Sequence, residues 1–210
     1  GILTKHGTTA GIYAHASVGC LHVRPVVNMK TEAGVSQFAA IADEVANLVL
    51  EFGGALSGEH GDGLVRTEWV AWQFGPRLTR AFEDVKRLFD PAGLMNPGKI
   101  VRGTKMDDAR LFRYPPGYQP LKLATALDWS AWNVHADPVA DTLSEPGTGG
   151  DPAQGFAKAV EMCNNNGHCR KFDAGTMCPS YRATRDEEHS TRGRANTLRL
   201  VSTLYPSLPR

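Results

Sequence analysis

The sequence predicts an α+β chain in which antiparallel strands carry helices on one face and a small α-helical unit follows. β-Branched, small and apolar residues fill positions 8–27 and break at Val18-Gly19, the pattern of two short strands around a tight turn. Two later stretches repeat apolar residues at three- and four-residue spacing, as amphipathic helices do. Beyond Val101 the texture turns irregular, and Cys163, Cys169 and Cys178 then crowd together.

The elements follow in order. The chain opens on a polar, extended stretch, and a hairpin over 8–27 turns at Val18-Gly19. A helix over 31–52 presents Val35, Phe38, Ile41, Val45, Leu48 and Val49 and ends at Gly53-Gly54. A second helix over 76–89 has Pro76 in its first turn, Leu78, Phe82, Val85 and Leu88 on its apolar face, and Asp90-Pro91 as its stop. Residues 105–155 read as a connection, punctuated by Tyr114-Pro115-Pro116-Gly117 and Glu145-Pro146-Gly147-Thr148-Gly149-Gly150, with Trp129 and Trp132 expected to pack onto neighbouring chain. From Asp186 a last helix is expected to carry Leu198, Leu200, Val201 and Leu204. The domains expected are 1–104, the connection 105–155, and 156–210.

With 41% hydrophobic residues, the 210-residue chain has material for a packed core. A net charge of +1, from 23 basic and 22 acidic residues, gives no field directed at nucleic acid. No apolar run approaches the ~20 residues that cross a bilayer, so a cytoplasmic protein is expected, with peripheral association at the inner face of a membrane left open. Gly1 in place of Met suggests an internal piece of a longer polypeptide. The three clustered cysteines, without a secretory pattern, favour metal or cluster ligation over disulfides.

His15 and His22 are expected to be opposed residues on the two hairpin arms, near enough to share a divalent ion. Ser57-Gly58-Glu59-His60-Gly61-Asp62-Gly63 supplies a carboxylate beside a further imidazole on a glycine-rich loop. Two histidines and one carboxylate leave metal positions open for a bidentate ligand such as a 2-hydroxy acid, and the metal can be Zn, Mn, Fe or Co. On spacing alone, two strand histidines and a solvated glutamate read the same way. Arg24, two residues past His22 on the same strand face, suits a substrate carboxylate as well as solvent. Cys20 reads as a small packed residue.

Cys163, Cys169 and Cys178-Pro179 partly match the cluster run C-x2-C-x2-C-x3-C-P. Asn166 stands at the second cysteine position, and eight residues rather than three separate the last two thiols. A zinc shell completed by His168 or His189 fits as well. Spacing leaves both readings open, along with a non-catalytic electron-transfer or assembly module and a zinc-stabilised structural domain.

The histidine pair, the Ser-Gly-Glu-His-Gly run and Phe89-Asp90-Pro91-Ala92-Gly93-Leu94-Met95-Asn96-Pro97-Gly98-Lys99-Ile100 together resemble the C-terminal region of FAD-linked oxidases: the D-lactate, D-2-hydroxyglutarate and glycolate dehydrogenase family. The resemblance implies that His15, His22 and Glu59 hold the metal, that His60 takes the hydroxyl proton, and that Asn96 lies by the FAD. It implies oxidation of a D-2-hydroxy acid to the 2-oxo acid, with hydride passing to the flavin. Many members carry His-x-Gly-Asp-Gly-Asn-x-His where this chain has His15-Ala16-Ser17-Val18-Gly19-Cys20-Leu21-His22, a departure that bears on substrate identity. No glycine-rich nucleotide loop occurs, so FAD binding is expected of the remaining parts of the same polypeptide.

Gly175-Thr176-Met177-Cys178-Pro179-Ser180-Tyr181 and Ser190-Thr191-Arg192-Gly193-Arg194-Ala195 resemble the iron–sulfur half of large fused dehydrogenases. That resemblance implies [4Fe-4S] centres, Cys163 and Cys169 serving one and Cys178 another, that pass electrons to an acceptor such as a quinone. A second cysteine run follows downstream in those proteins, so residues 1–210 alone are expected to hold no intact cluster and to be inactive.

Overall fold

Thr31 starts the first long helix, its Oγ1 accepting the Gly34 N–H at 3.1 Å. The helix, α2 (Glu32–Glu51), ends where Gly53 enters the left-handed region at φ 66°. Sequence and structure agree here because both caps are local. The structure, a computed structural model, describes residues 1–133, 136–137, 142–143, 151–171 and 177–204. The turn expected at Glu145-Gly150 and the residues Gly175-Thr176 lie outside the described residues. The chain divides into two compact units, Gly1–Pro116 and Gly117–Arg210.

In the first unit, α1 (Ile2–Lys5) replaces the extended start that was expected. Lys5 Nζ and His6 Nε2 both reach Glu44 Oε1 on α2, at 2.7 and 2.8 Å, and Gln37 Nε2 donates to the His6 carbonyl at 2.6 Å. These bonds draw the polar opening onto a helix face. The hairpin forms as β1 (Ala10–His15) and β2 (Cys20–Pro25), antiparallel, joined by a 3-10 turn at Ala16–Val18 with Gly19 at φ 65°. Core side chains come from α2 (Val35, Ile41, Ala46) and from Trp69 and Val70. Trp69 Nε1 donates to Asp43 Oδ1 at 3.0 Å, satisfying the buried indole.

The second long helix is α3 (Val70–Phe89), broken at Gly75, whose φ 74° and ψ 173° are not helical. Pro76 therefore occupies a helix start, where its missing N–H removes no bond. The expected apolar face is largely open: Leu78, Val85, Leu88 and Phe89 are exposed. At the stop, the Asp90 carboxylate accepts from the N–H groups of Leu94 and Met95 at 2.9 and 2.8 Å and pairs with Lys86 Nζ. The Lys86 bond first, and the two backbone bonds next, hold its pKa down to about 2.

In the second unit, β3 (Gln119–Pro120) pairs antiparallel with β6 (Thr203–Leu204), and β4 (Ala136–Asp137) with β5 (Thr142–Leu143). The helices are α4 (Phe156–Glu161), α5 (Pro179–Thr184) and α6 (Thr191–Val201). Leu204, expected on the last helix, lies beyond it in β6. Trp129 packs edge-on against Phe156 with centroids 5.4 Å apart, so this part of the expected connection is packed. Ser190, fully buried, caps α6 by accepting from Gly193 N–H at 2.9 Å and donates to the Glu187 carbonyl.

Candidate metal centre

The hairpin register pairs Tyr13 with His22 and His15 with Cys20. His15 and His22 are thus diagonal rather than directly opposed, as the sequence had suggested, because the Ala16–Val18 turn ends β1 at His15 and places Cys20 opposite it. Residues two apart on a strand share a face. Arg24 pairs with Gly11, so Tyr13, His15, Cys20, His22 and Arg24 all stand on one side of the hairpin. The two imidazoles meet edge to face, centroids 4.8 Å apart.

Glu59 reaches this face from the loop after α2. Its Oε1 lies 3.0 Å from His22 Nε2, and its Oε2 lies 3.4 Å from His15 Nε2. Ser57 Oγ donates to the Gly61 carbonyl at 2.7 Å across the loop, while Gly61 and Gly63 take φ values of 71° and 58° that favour glycine. Gly58 passes so close to the hairpin that a Cβ there would stand 2.9 Å from Cys20 Sγ. Cys20 is therefore not only a packing residue of the strand: it sets how near the Glu59 loop comes, and its Sγ is 3.9 Å from His22 Nε2.

One ligand atom from each of His15, His22 and Glu59 lies within 4.8 Å of the other two. Ligands bonded at ~2.1 Å around one tetrahedral ion stand roughly 3.4 Å apart, so the carboxylate-to-imidazole separations suit a shared divalent cation. Two nitrogens and an oxygen match borderline metals better than calcium. Among the described residues this is the set of three such donors that converges; Cys163, Cys169 and Cys178 do not form one. Asn96, at φ 44° in the loop held by Asp90, has its side-chain oxygen 3.5 Å from Lys99 Nζ.

His60 Nε2 lies 2.9 Å from Glu59 Oε1. A carboxylate only accepts, so an Nε2–H facing it leaves the lone pair on Nδ1. The His60 side chain is 81% exposed and His22 only 16%, which leaves His60 free to meet a solvent-borne molecule. His22 is covered by Tyr13, whose ring stacks on it at 4.3 Å and 5° from parallel. Arg24 Nη2 donates to the Tyr13 hydroxyl at 2.7 Å, so Arg24 is tied to the site rather than loose in solvent.

A family model described as FAD linked oxidases, C-terminal domain, matches residues 1–100. Over these residues the chain is similar to the C-terminal domain of FAD-linked oxidases. The D-2-hydroxyglutarate dehydrogenase of Pseudomonas putida is 35% identical over 206 residues, covering 94% of this chain and 17% of the relative. That of Escherichia coli K12 is 33% identical over 199 residues, with the same two shares of 94% and 17%. A D-lactate dehydrogenase of Anaerostipes hadrus is 40% identical over 89 residues, covering 42% of this chain and 19% of the relative. The chain thus spans about a sixth of the length of the first two relatives. No solved structure matches it.

Sequence reasoning alone missed two residues that shape the site. One is Tyr13, whose signal was its even spacing from His15. The other is Thr67, whose Oγ1 accepts from Ile100 N–H at 2.9 Å and donates to the Gly63 carbonyl, joining the Glu59 loop to the closing motif.

In the second unit, Cys163 and Cys169 line one cleft of about 600 Å³ together with Met162, Met177 and Trp132, whereas Cys178 does not line it. Cys178 Sγ donates to the His189 carbonyl at 3.2 Å. Its pKa is lowered, first by the Tyr181 backbone bond. No helix among the described residues is long and apolar enough to cross a membrane.

Proposed function

We propose that the intact polypeptide carrying this chain oxidises a D-2-hydroxy acid, with His15, His22 and Glu59 holding a divalent metal. The observation that carries the reading is the convergence of two imidazoles and a carboxylate beside the accessible His60. The ion, when bound, supplies a Lewis acid that acidifies a coordinated hydroxyl, and FAD supplies the two-electron acceptor. His60 accepts the hydroxyl proton, a neutral imidazole being a side chain suited to that task. Arg24, held over Tyr13, pairs with a substrate carboxylate. Asn96 contacts the flavin from the loop organised by Asp90.

Within the D-2-hydroxy acids we favour D-2-hydroxyglutarate. The relatives of that name match across 94% of the chain and so include residues of both units, whereas the D-lactate dehydrogenase matches 42%. Arg24 also stands one strand repeat beyond His22, at a distance suited to a second carboxylate on a substrate anchored at the metal. Electrons then leave through iron–sulfur centres, to which Cys163 and Cys169 contribute together and Cys178 separately. The division of these thiols between a shared cleft and a position outside it supports this pairing.

Dye reduction by the full-length enzyme against a panel of D-2-hydroxy acids, with and without chelator, tests the proposal. The expected result is a rate highest for D-2-hydroxyglutarate, abolished by chelator and restored by a divalent ion. Turnover indifferent to chelator and to Glu59→Gln contradicts it and favours a non-catalytic module.

A further inference from the structure

Arg192 enters the cysteine cleft and is held there on two sides. Its Nε and Nη2 donate to Glu187 Oε1 and Oε2 at 2.7 and 2.9 Å, a planar fork on one carboxylate. Its Nη1 donates to the Asn165 carbonyl at 3.2 Å, on the loop between Cys163 and Cys169. The same loop passes the guanidinium at Gly167, where a Cβ would stand 3.1 Å from Nη1. At φ 75° that position already favours glycine, and the close approach gives a second reason for the missing side chain. Asn196, one turn further along α6, donates to Asn165 Oδ1 at 2.9 Å, fixing the loop to the same helix.

The charge is permanent. Glu187, by its hydrogen bond first, raises the Arg192 pKa, and the nearby charges of Cys169 and Cys163 raise it further. Glu187 itself is held at about 2, chiefly by Arg192. Arg170 Nη1 lies 3.4 Å from Glu187 Oε2, so two guanidiniums share one carboxylate and the group of three is net positive. Only 20% of the Arg192 side chain is exposed, which limits screening by solvent. The rest of the lining sets Met162, Met177 and Trp132 beside the polar Asn164, Asn166, His168 and Thr191.

We propose that Arg192 is a fixed cation that raises the reduction potential of the centre held by Cys163 and Cys169. The inference rests on the iron–sulfur reading above. Reduction adds a negative charge to such a centre, and a cation held close by with little of its side chain in solvent stabilises the reduced form. Arginine suits the role better than lysine because the fork fixes where its charge sits. Arg192 acts on the centre through space and is a positioning residue.

The test is a redox titration, followed by electron paramagnetic resonance, of the full-length protein as wild type, R192Q, R192K and E187Q, with iron and acid-labile sulfide measured for each. R192Q is expected to lower the reduction equilibrium constant at least tenfold, about 59 mV for a one-electron couple. R192K recovers most of that loss because the charge returns. E187Q moves the potential the other way, since it removes the counter-charge and leaves the cation. A loaded R192Q at the wild-type potential overturns the inference alone. Should R192Q not load, E187Q decides, and an unchanged or lowered potential there overturns it. A wild type lacking both iron and sulfide overturns the iron–sulfur reading and this inference with it.

Discussion

The ring of Tyr13 stacks on that of His22, centroids 4.3 Å apart and planes 5° from parallel. This stack fixes the plane of one imidazole of the candidate site, and the Arg24 bond to the Tyr13 hydroxyl fixes the tyrosine in turn. Groups that orient a ligand typically matter by ~10- to 100-fold in metal affinity. Tyr13→Ala is expected to weaken divalent-metal binding by roughly tenfold, measured by competition with a fluorescent chelator. Tyr13→Phe keeps the stack and is expected to stay within about twofold of wild type. Equal affinities for wild type and Tyr13→Ala count against the orienting role.

Gly58→Ala places a methyl 2.9 Å from Cys20 Sγ, displacing the Glu59 loop from the hairpin. Metal affinity is expected to fall, and the double variant with Cys20→Ala to regain most of it, because the obstructing sulfur is gone. If the double variant binds no better than Gly58→Ala, the contact does not set the loop position.

Thr31→Ala removes the oxygen that accepts the Gly34 N–H at the start of α2. The expected cost is about 1 kcal/mol of folding stability, readable by urea denaturation of the full-length protein, with serine restoring most of it.

The Asp90 pKa is depressed from 3.8 to about 2 in the folded chain. A carboxylate with a depressed folded pKa stabilises above its unfolded value and loses that contribution as pH falls through the folded one. Stability is therefore expected to decline between about pH 4 and pH 2, through loss of the Lys86, Leu94 and Met95 bonds. Asp90→Asn is expected to be less stable at neutral pH and flatter across that acid window. Parallel acid curves for the two proteins rule Asp90 out as the source.

Much of the first unit was legible in the sequence because its signals are local. Thr31 and Gly53 cap a helix by chemistry within four residues, and Pro76 marks a start that survives the break at Gly75. His15, His22, Glu59 and His60 were legible by type and order. The diagonal register of the histidines was not, because it depends on where the three-residue turn ends β1. Nor was the role of Tyr13, which follows only from that register. In the second unit, α4 and α5 have six residues each, too few for a periodic signal. The fork between Arg192 and Glu187 was hidden for another reason: at five residues apart it spans the buried cap at Ser190 rather than a helix turn.

The most direct test of the central claim is the divalent-metal content of the purified full-length protein, wild type against Glu59→Gln and a His15→Ala, His22→Ala double variant. Metal bound beyond the iron of any cluster is expected at about one equivalent per chain in wild type, and at well below half of that in both variants, with loss of hydroxy-acid oxidation in parallel. Wild-type metal content and turnover in both variants would contradict the assignment of these three side chains to a shared ion.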